Sequence, residues 1–362
     1  MKILIIITRG DELGGAQTHV KDLMSFMSKM YGTEFVLVAG TSGILTEDIL
    51  RMGIPVHIIT SIRRDIGLMD LKAIFDLRKI IKVTQPDIIS CHSSKAGVIG
   101  RLAAIKLNVK KVFTAHGWAF TDGVSKKKAI LYKNIEKSLA NISDAIVNVS
   151  HYDKQLAQSA GVKGKHFVIH NCVPSSKNEK TKIVNFSNIK LVMVARFCEQ
   201  KDHETLLKAL ANIATDNWSL SLVGNGDSSR VEKLAIDLGI REKIYFMGQQ
   251  NNVENILFDH DIFVLSTNWE GFPISTLEAM RASMPVIVTN VGGCNEAIEE
   301  GVNGFLVRKK DIYDLKDKLE YFLKNPSQIE IYGEKSKIRF EADFRIENMI
   351  QEYKEIFDKV MK

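Results

Sequence analysis

Glu270 and Glu278 flank the stretch Gly271-Phe272-Pro273-Ile274-Ser275-Thr276-Leu277, and no other segment of the chain is better suited to chemistry. Pro273 fits the first turn of a helix, where its missing N–H costs nothing. The N–H groups of Ile274 and Ser275 then face outward with the positive end of the helix dipole, an anion site suited to a diphosphate. One carboxylate before the helix and one more than a turn inside it can bracket a ligand, one toward a sugar and the other toward a ribose diol. The plainer alternative is one solvated glutamate and one helix-start charge. Arg196 ends an apolar run at 190–195 and Lys201 follows closely. Two cations at one strand end suit the neutralisation of a departing diphosphate better than two chance surface charges.

Other candidates also follow apolar runs. Gly14 and Gly15 permit positive φ and close backbone approach to a phosphate. No Lys-Ser/Thr follows as in a Walker A loop, and the spacing is not G-x-G-x-x-G. His116 closes the run 111–116 just before Gly117. His19, His92 and His170 have weaker cases, and His92, which follows another strand, could line the acceptor side. Gly224, Asn225, Gly226 and Asp227 follow the run 220–223, where they would lie under a ribose and base. Trp118 and Phe120 are platforms for sugar faces or, equally, core residues.

These residues need elements that hold them. Runs at 3–8, 35–39, 57–60, 87–92, 111–116, 145–150 and 166–170 lack polar alternation, as parallel strands covered on both faces do. Amphipathic stretches at 16–30, 68–83 and 95–106 separate some of them. A polar, turn-rich segment at 173–188 reads as a linker, after which runs resume at 190–195, 220–223, 244–247, 262–266 and 285–289. The expectation is α/β: two doubly wound Rossmann-like domains facing across a cleft. Their bounds are 1–172 on the acceptor side and 189–340 on the nucleotide side. Residues 341–362 form a terminal helix packing back toward the first domain.

The length of 362 residues suits two cores, and 45% hydrophobic with 25% charged residues is an ordinary globular balance. The apolar start is cut short by Arg9, Asp11 and Glu12, too soon for a signal peptide or a membrane span. A cytoplasmic protein is expected. Cys91, Cys172, Cys198 and Cys294 show no paired spacing, so they read as small buried side chains rather than as disulfides or a metal site. No D-x-D follows a strand, and no metal or cofactor is expected. Residues 1–170 carry a net +10 and the remainder −4, and Lys126, Lys127 and Lys128 lie in the basic half with Lys133 and Lys137 beyond. Such a cluster is either a solvated helix or a reversible contact with an anionic membrane surface. No nucleic-acid recognition module accompanies it.

The segment from Glu270 to Glu278 resembles the E-x7-E signature of retaining glycosyltransferase family 4, whose fold is GT-B. Gly14-Gly15-Ala16 resembles that family's glycine loop, and Thr114-Ala115-His116-Gly117 its histidine motif. Ala195-Arg196-Phe197 with Lys201-Asp202, Leu222-Val223-Gly224-Asn225-Gly226-Asp227 and Val291-Gly292-Gly293-Cys294-Asn295-Glu296 match in order. The resemblance runs along nearly the whole chain. It implies that Arg196 and Lys201 contact a diphosphate, Glu278 the ribose, and Glu270 and His116 the transferred sugar. Gly248 and Val253 resemble the region that packs the nucleobase. The segment Cys91-His92-Ser93-Ser94-Lys95-Ala96-Gly97, with Gly117-Trp118-Ala119-Phe120, resembles bacterial surface-polysaccharide members. The implied partners are a nucleoside diphosphate sugar, expected to be UDP-linked, and a glycan or undecaprenyl-diphosphate-linked glycan acceptor. A UDP-sugar epimerase of the same fold and a non-catalytic glycan- or nucleotide-binding scaffold are the rival readings. The epimerase does not need the two-glutamate pattern, and the scaffold would turn nothing over.

Overall fold

Five consecutive aliphatic residues, Ile3 to Ile7, are each at most 1% exposed, as in a strand covered on both faces. In the computed structural model, which describes residues 1–63, 67–176 and 184–362, they form β1 (Lys2–Ile7). Residues 177–183 of the expected linker lie outside the described residues. The chain divides into two units, Met1–Pro174 with Ile346–Lys362, and Ser175–Arg345.

In the first unit β1 is joined by β2 (Glu34–Ala39), β3 (Val56–Ile58), β4 (Ile88–His92), β5 (Lys110–Ala115), β6 (Ala145–Asn148) and β7 (His166–Val168). All pairings are parallel, in the order β3-β2-β1-β4-β5-β6-β7. The chain starts mid-sheet, builds to one side, and returns to build the other. The strand order therefore reverses between β1 and β4, where such sheets bind ligands at their carboxyl ends. Thr8 and Ser93 bridge this switch point by a 2.7 Å hydroxyl contact.

Side-chain alternation along β1 feeds two cores. Ile3, Ile5 and Ile7 join Val20, Leu23 and Met27 of helix Gly15–Tyr31, together with Ile346, Ile350 and Phe357 of helix Ile346–Met361. Leu4 and Ile6 join Leu77 of helix Met69–Thr84 and Ile99 of helix Ser94–Ala103. The terminal helix buries residues 346, 349, 350, 353, 356, 357 and 360, the 3.6-residue stripe of one face, so it completes the first unit's core.

The second unit holds β8 (Ile189–Val194), β9 (Trp218–Val223), β10 (Ile244–Gly248), β11 (Ile262–Leu265), β12 (Val286–Thr289) and β13 (Gly304–Val307). They are again parallel, in the order β10-β9-β8-β11-β12-β13, with a switch point between β8 and β11. The edge strand β13 was not among the apolar runs of the sequence, being four residues long and opened by a glycine. Cys91, Cys172 and Cys294 are buried as expected, but Cys198 is exposed. It lies in the loop after β8 rather than in an element that packs.

Candidate functional site

Arg196 and Lys201 leave the carboxyl end of β8, and Glu270 leaves that of β11, on either side of the second unit's switch point. The two loops are laced together. Asp202 N donates to Ser266 O at 3.0 Å, Asn268 N to Gln200 O at 2.8 Å, and Thr267 Oγ1 to Gln200 O at 3.0 Å. Glu270 is held by three donors: Lys201 Nζ and Thr267 Oγ1 (2.8 Å) on Oε1, and Gln200 Nε2 (3.2 Å) on Oε2. Its side chain is 8% exposed, so it stands in one orientation. Lys201 thus serves Glu270, whereas the exposed Arg196 has no carboxylate partner among the described residues. His203 braces the loop, stacking on Phe197 at 4.6 Å with Nδ1 3.1 Å from Lys201 O. Burial pushes its pKa down to about 4, keeping it neutral.

Helix Ile274–Arg281 begins directly beyond this lattice. Pro273 is its N-cap (φ −75°, ψ 120°), not its first helical residue, and it supplies no side-chain acceptor. The first turn holds no acidic residue, so Ile274 and Ser275 present N–H groups that no capping side chain consumes. Glu278 lies one turn further in, partly exposed. Phe272 is 4% exposed and packs against Phe344 at 5.6 Å, so its ring anchors the loop and only its backbone remains for a ligand.

Two glycines let the loops approach this closely. A Cβ on Gly292 (φ +58°) would stand 1.9 Å from Glu270 O, and one on Gly224 (φ +155°) 2.1 Å from Ala195 O. Gly224 N donates to Gly248 O at 2.9 Å and Phe197 N to Asn225 O at 2.8 Å. The ends of β8, β9 and β10 therefore lie side by side, with Gly224, Asn225 and Gly248 next to the Arg196 loop. Val253 opens the short helix Val253–Phe258, which the Arg281–Glu254 ion pair (3.2 Å) ties to the Glu278 helix.

In the first unit Gly14 is the N-cap of helix Gly15–Tyr31 with φ −105°, and Gly15 is not among the residues of positive φ. The expected left-handed turn is therefore absent at this pair. What the glycines leave is a second helix start without a side-chain cap or an acidic first turn. His116 follows β5 and His92 ends β4, with His92 Nδ1 3.1 Å from His116 Nε2. His19, on the helix after β1, packs edge-on against His116 with ring centroids 4.7 Å apart. Burial depresses all three imidazoles, His19 to about 4 and the other two well below their usual value. His92 is wholly buried, which does not fit a side chain lining an acceptor. Trp118 is 2% exposed, stacked on Phe120 and donating from Nε1 to Asp153 O at 2.9 Å. Of its two readings the core one is correct, since no face of the indole is open. Ser90, Thr114, Asn171 and Tyr353 complete the histidine cluster, and of these only Thr114 stood in a motif read from the sequence.

Residues 13–177 match the family described as Glycosyltransferase Family 4, and residues 175–339 match Glycosyl transferases group 1. Among curated proteins, the chain is 31% identical to the O-antigen biosynthesis glycosyltransferase WbnH of Escherichia coli, over 98% of this chain and 99% of that one. The chain belongs to glycosyltransferase family 4. As a glycosyltransferase it is a transferase enzyme. It is also 30% identical to the UDP-Gal:alpha-D-GlcNAc-diphosphoundecaprenol alpha-1,3-galactosyltransferase of Escherichia coli, over 76% of each chain. Among solved structures, Anabaena Alr3699/HepE in complex with UDP superposes with a TM-score of 0.85 at 19% identity, covering 99% of this glycosyltransferase and 100% of that chain. The two parallel-sheet units are those of the GT-B fold.

Proposed function

We propose that this glycosyltransferase moves a sugar from a UDP-sugar to a hydroxyl of a glycan or lipid-diphosphate-linked glycan in surface-polysaccharide synthesis, retaining anomeric configuration and needing no metal. The observation that carries the reading is the second unit's switch point, where Arg196, the immobilised Glu270 and an uncapped helix start converge. Arg196 and the N–H groups of Ile274 and Ser275 would stabilise the departing diphosphate. Glu278 would bind the ribose, Glu270 and His116 the transferred sugar. The bond from the sugar's anomeric carbon to the β-phosphate oxygen breaks as the acceptor oxygen attacks the same face, and the departing phosphate takes the acceptor's proton. The UDP of the Anabaena structure and the UDP-galactose and diphosphoundecaprenol of the galactosyltransferase support the donor and acceptor classes.

A lipid-linked acceptor requires access to a membrane, and no helix among the described residues is long and apolar enough to cross one. Peripheral contact is the proposed solution. Lys126, Lys127 and Lys128 fill the first turn of helix Lys126–Ala140, where the dipole disfavours cations by about 0.3–1 kcal/mol each. Ile130 and Leu131 stand exposed beside them. Helix Met69–Thr84 packs on the same face of the sheet and exposes Leu71 and Phe75. Exposed apolar side chains next to misplaced cations fit an anionic bilayer better than water.

The donor site is tested through Cys198, the exposed cysteine between Arg196 and Lys201. With EDTA present, UDP should slow its alkylation severalfold in the native enzyme. In Arg196→Ala about tenfold more UDP should be needed, the equivalent of roughly 1.4 kcal/mol. Alkylation indifferent to UDP, or equal protection in both proteins, would refute the assignment.

A further inference from the structure

Neutral imidazoles have one donor and one acceptor nitrogen, so a chain of them transmits direction. One chain through the first unit's histidine cluster runs from Thr114 Oγ1 to Tyr353 Oη (3.0 Å), to His19 Nε2 (2.9 Å), and from His19 Nδ1 to Asn171 Oδ1 (3.0 Å). Asn171 Oδ1 has no hydrogen, so His19 Nδ1 donates, Nε2 accepts from Tyr353, and Tyr353 accepts from Thr114. Both nitrogens of His19 are thereby used.

The second chain runs from Ser90 Oγ to His92 Nε2 (3.0 Å), and from His92 Nδ1 to His116 Nε2 (3.1 Å). If His116 Nε2 donated, His92 Nε2 would donate to Ser90, whose hydroxyl hydrogen would then need an acceptor. None stands within reach among the described residues, and Ser90 is wholly buried. An orphaned buried donor costs about 1–3 kcal/mol. In the opposite direction both hydrogens inside the chain find acceptors, Ser90 donating to His92 Nε2 and His92 Nδ1 to His116 Nε2, and the one left over sits on Nδ1 of His116, which is only part-buried.

We propose that Ser90 and His92 are positioning residues that fix His116 as its Nδ1–H tautomer, so that the nitrogen with no partner among the described residues is a hydrogen-bond donor for a ligand oxygen, here a hydroxyl of the transferred sugar. That last step rests on the role given to His116 above, whereas the tautomer does not. The depressed basicity of all three rings agrees with an uncharged relay. Metal binding would require the same nitrogens to abandon these partners.

The experiment is 15N NMR of histidine-labelled enzyme at neutral pH without ligand, in which protonated and bare ring nitrogens separate widely. His116 should show a protonated Nδ1 and a bare Nε2. Ser90→Ala removes the hydrogen that sets the direction and should give His116 a mixture of tautomers, with Ser90→Thr restoring the single form. His92→Asn, whose amide can donate as Nδ1 did, should keep the Nδ1–H form, and His92→Leu should lose it. In transfer assays His92→Leu should lower kcat about tenfold or more, with the Kd of free UDP unchanged. A native His116 bearing Nε2–H, or a Ser90→Ala spectrum identical to the native one, would overturn the proposal. So would a stoichiometric transition metal in the native enzyme that His92→Leu loses. If the spectra agree while His92→Leu transfers normally, the tautomer stands and the sugar contact of His116 falls.

Discussion

Glu270 and Lys201 lie 69 residues apart in sequence yet form one ion pair inside a lattice of hydroxyl, amide and backbone donors. The pairing changes what each substitution should do. Glu270→Ala removes the fixed acceptor proposed for the sugar, and at the same time releases the Lys201 ammonium toward an incoming anion. Its kcat should fall about a hundredfold, near 2.7 kcal/mol of transition-state stabilisation, while free UDP binds no more weakly than before. Glu278→Ala loses the ribose contact and should raise the Kd of UDP about tenfold. Calorimetry with UDP, set beside steady-state kinetics, separates the two. An equal loss of UDP affinity in both variants would contradict these roles.

Helix Ile346–Met361 shows what a linear reading captures and what it omits. Its apolar stripe is visible as a 3.6-residue period, and the parallel strands are visible as unbroken aliphatic runs, because both signals are local. Tyr353 is the polar-tipped member of that stripe, and its bond to His19 spans 334 residues. No spacing rule connects such partners, so the histidines after β1, β4 and β5 read as separate candidates rather than as one cluster. Similarly, Gly14-Gly15 shows that a bend is possible but not its φ, and Trp118 reads as platform or core until its neighbours are known. The cluster has a consequence for stability. His19 is held near a pKa of 4 against 6.5 in the unfolded chain, so below pH 6.5 the unfolded state takes up protons that the fold refuses. Stability should be constant above that pH and fall on acidification toward about 4, by about 1.4 kcal/mol per pH unit for each such imidazole. Urea unfolding at pH 7.5 and 5.5 measures the loss, and His19→Gln should reduce it. An unchanged pH dependence in that variant would contradict a neutral buried His19.

Over the whole molecule, positive charge collects in residues 1–170, +10 against −4 for the remainder, and the exposed apolar side chains near Lys126–Lys128 belong to that same half. Cosedimentation should therefore show binding to anionic vesicles at low salt, weak binding to neutral ones, and loss of both salt dependence and affinity when the three lysines become glutamate. Binding that ignores lipid charge would remove the membrane from the account. The central claim, retaining transfer with the diphosphate stabilised by the protein alone, is tested most directly by the product. The enzyme should be incubated with a panel of UDP-α-hexoses and a lipid-diphosphate-linked sugar in excess EDTA, and the new linkage read by proton NMR of its anomeric signal. The account predicts an α-linked product formed at nearly the rate seen without EDTA. A β-linked product, or transfer abolished by EDTA and restored by magnesium or manganese, would contradict it.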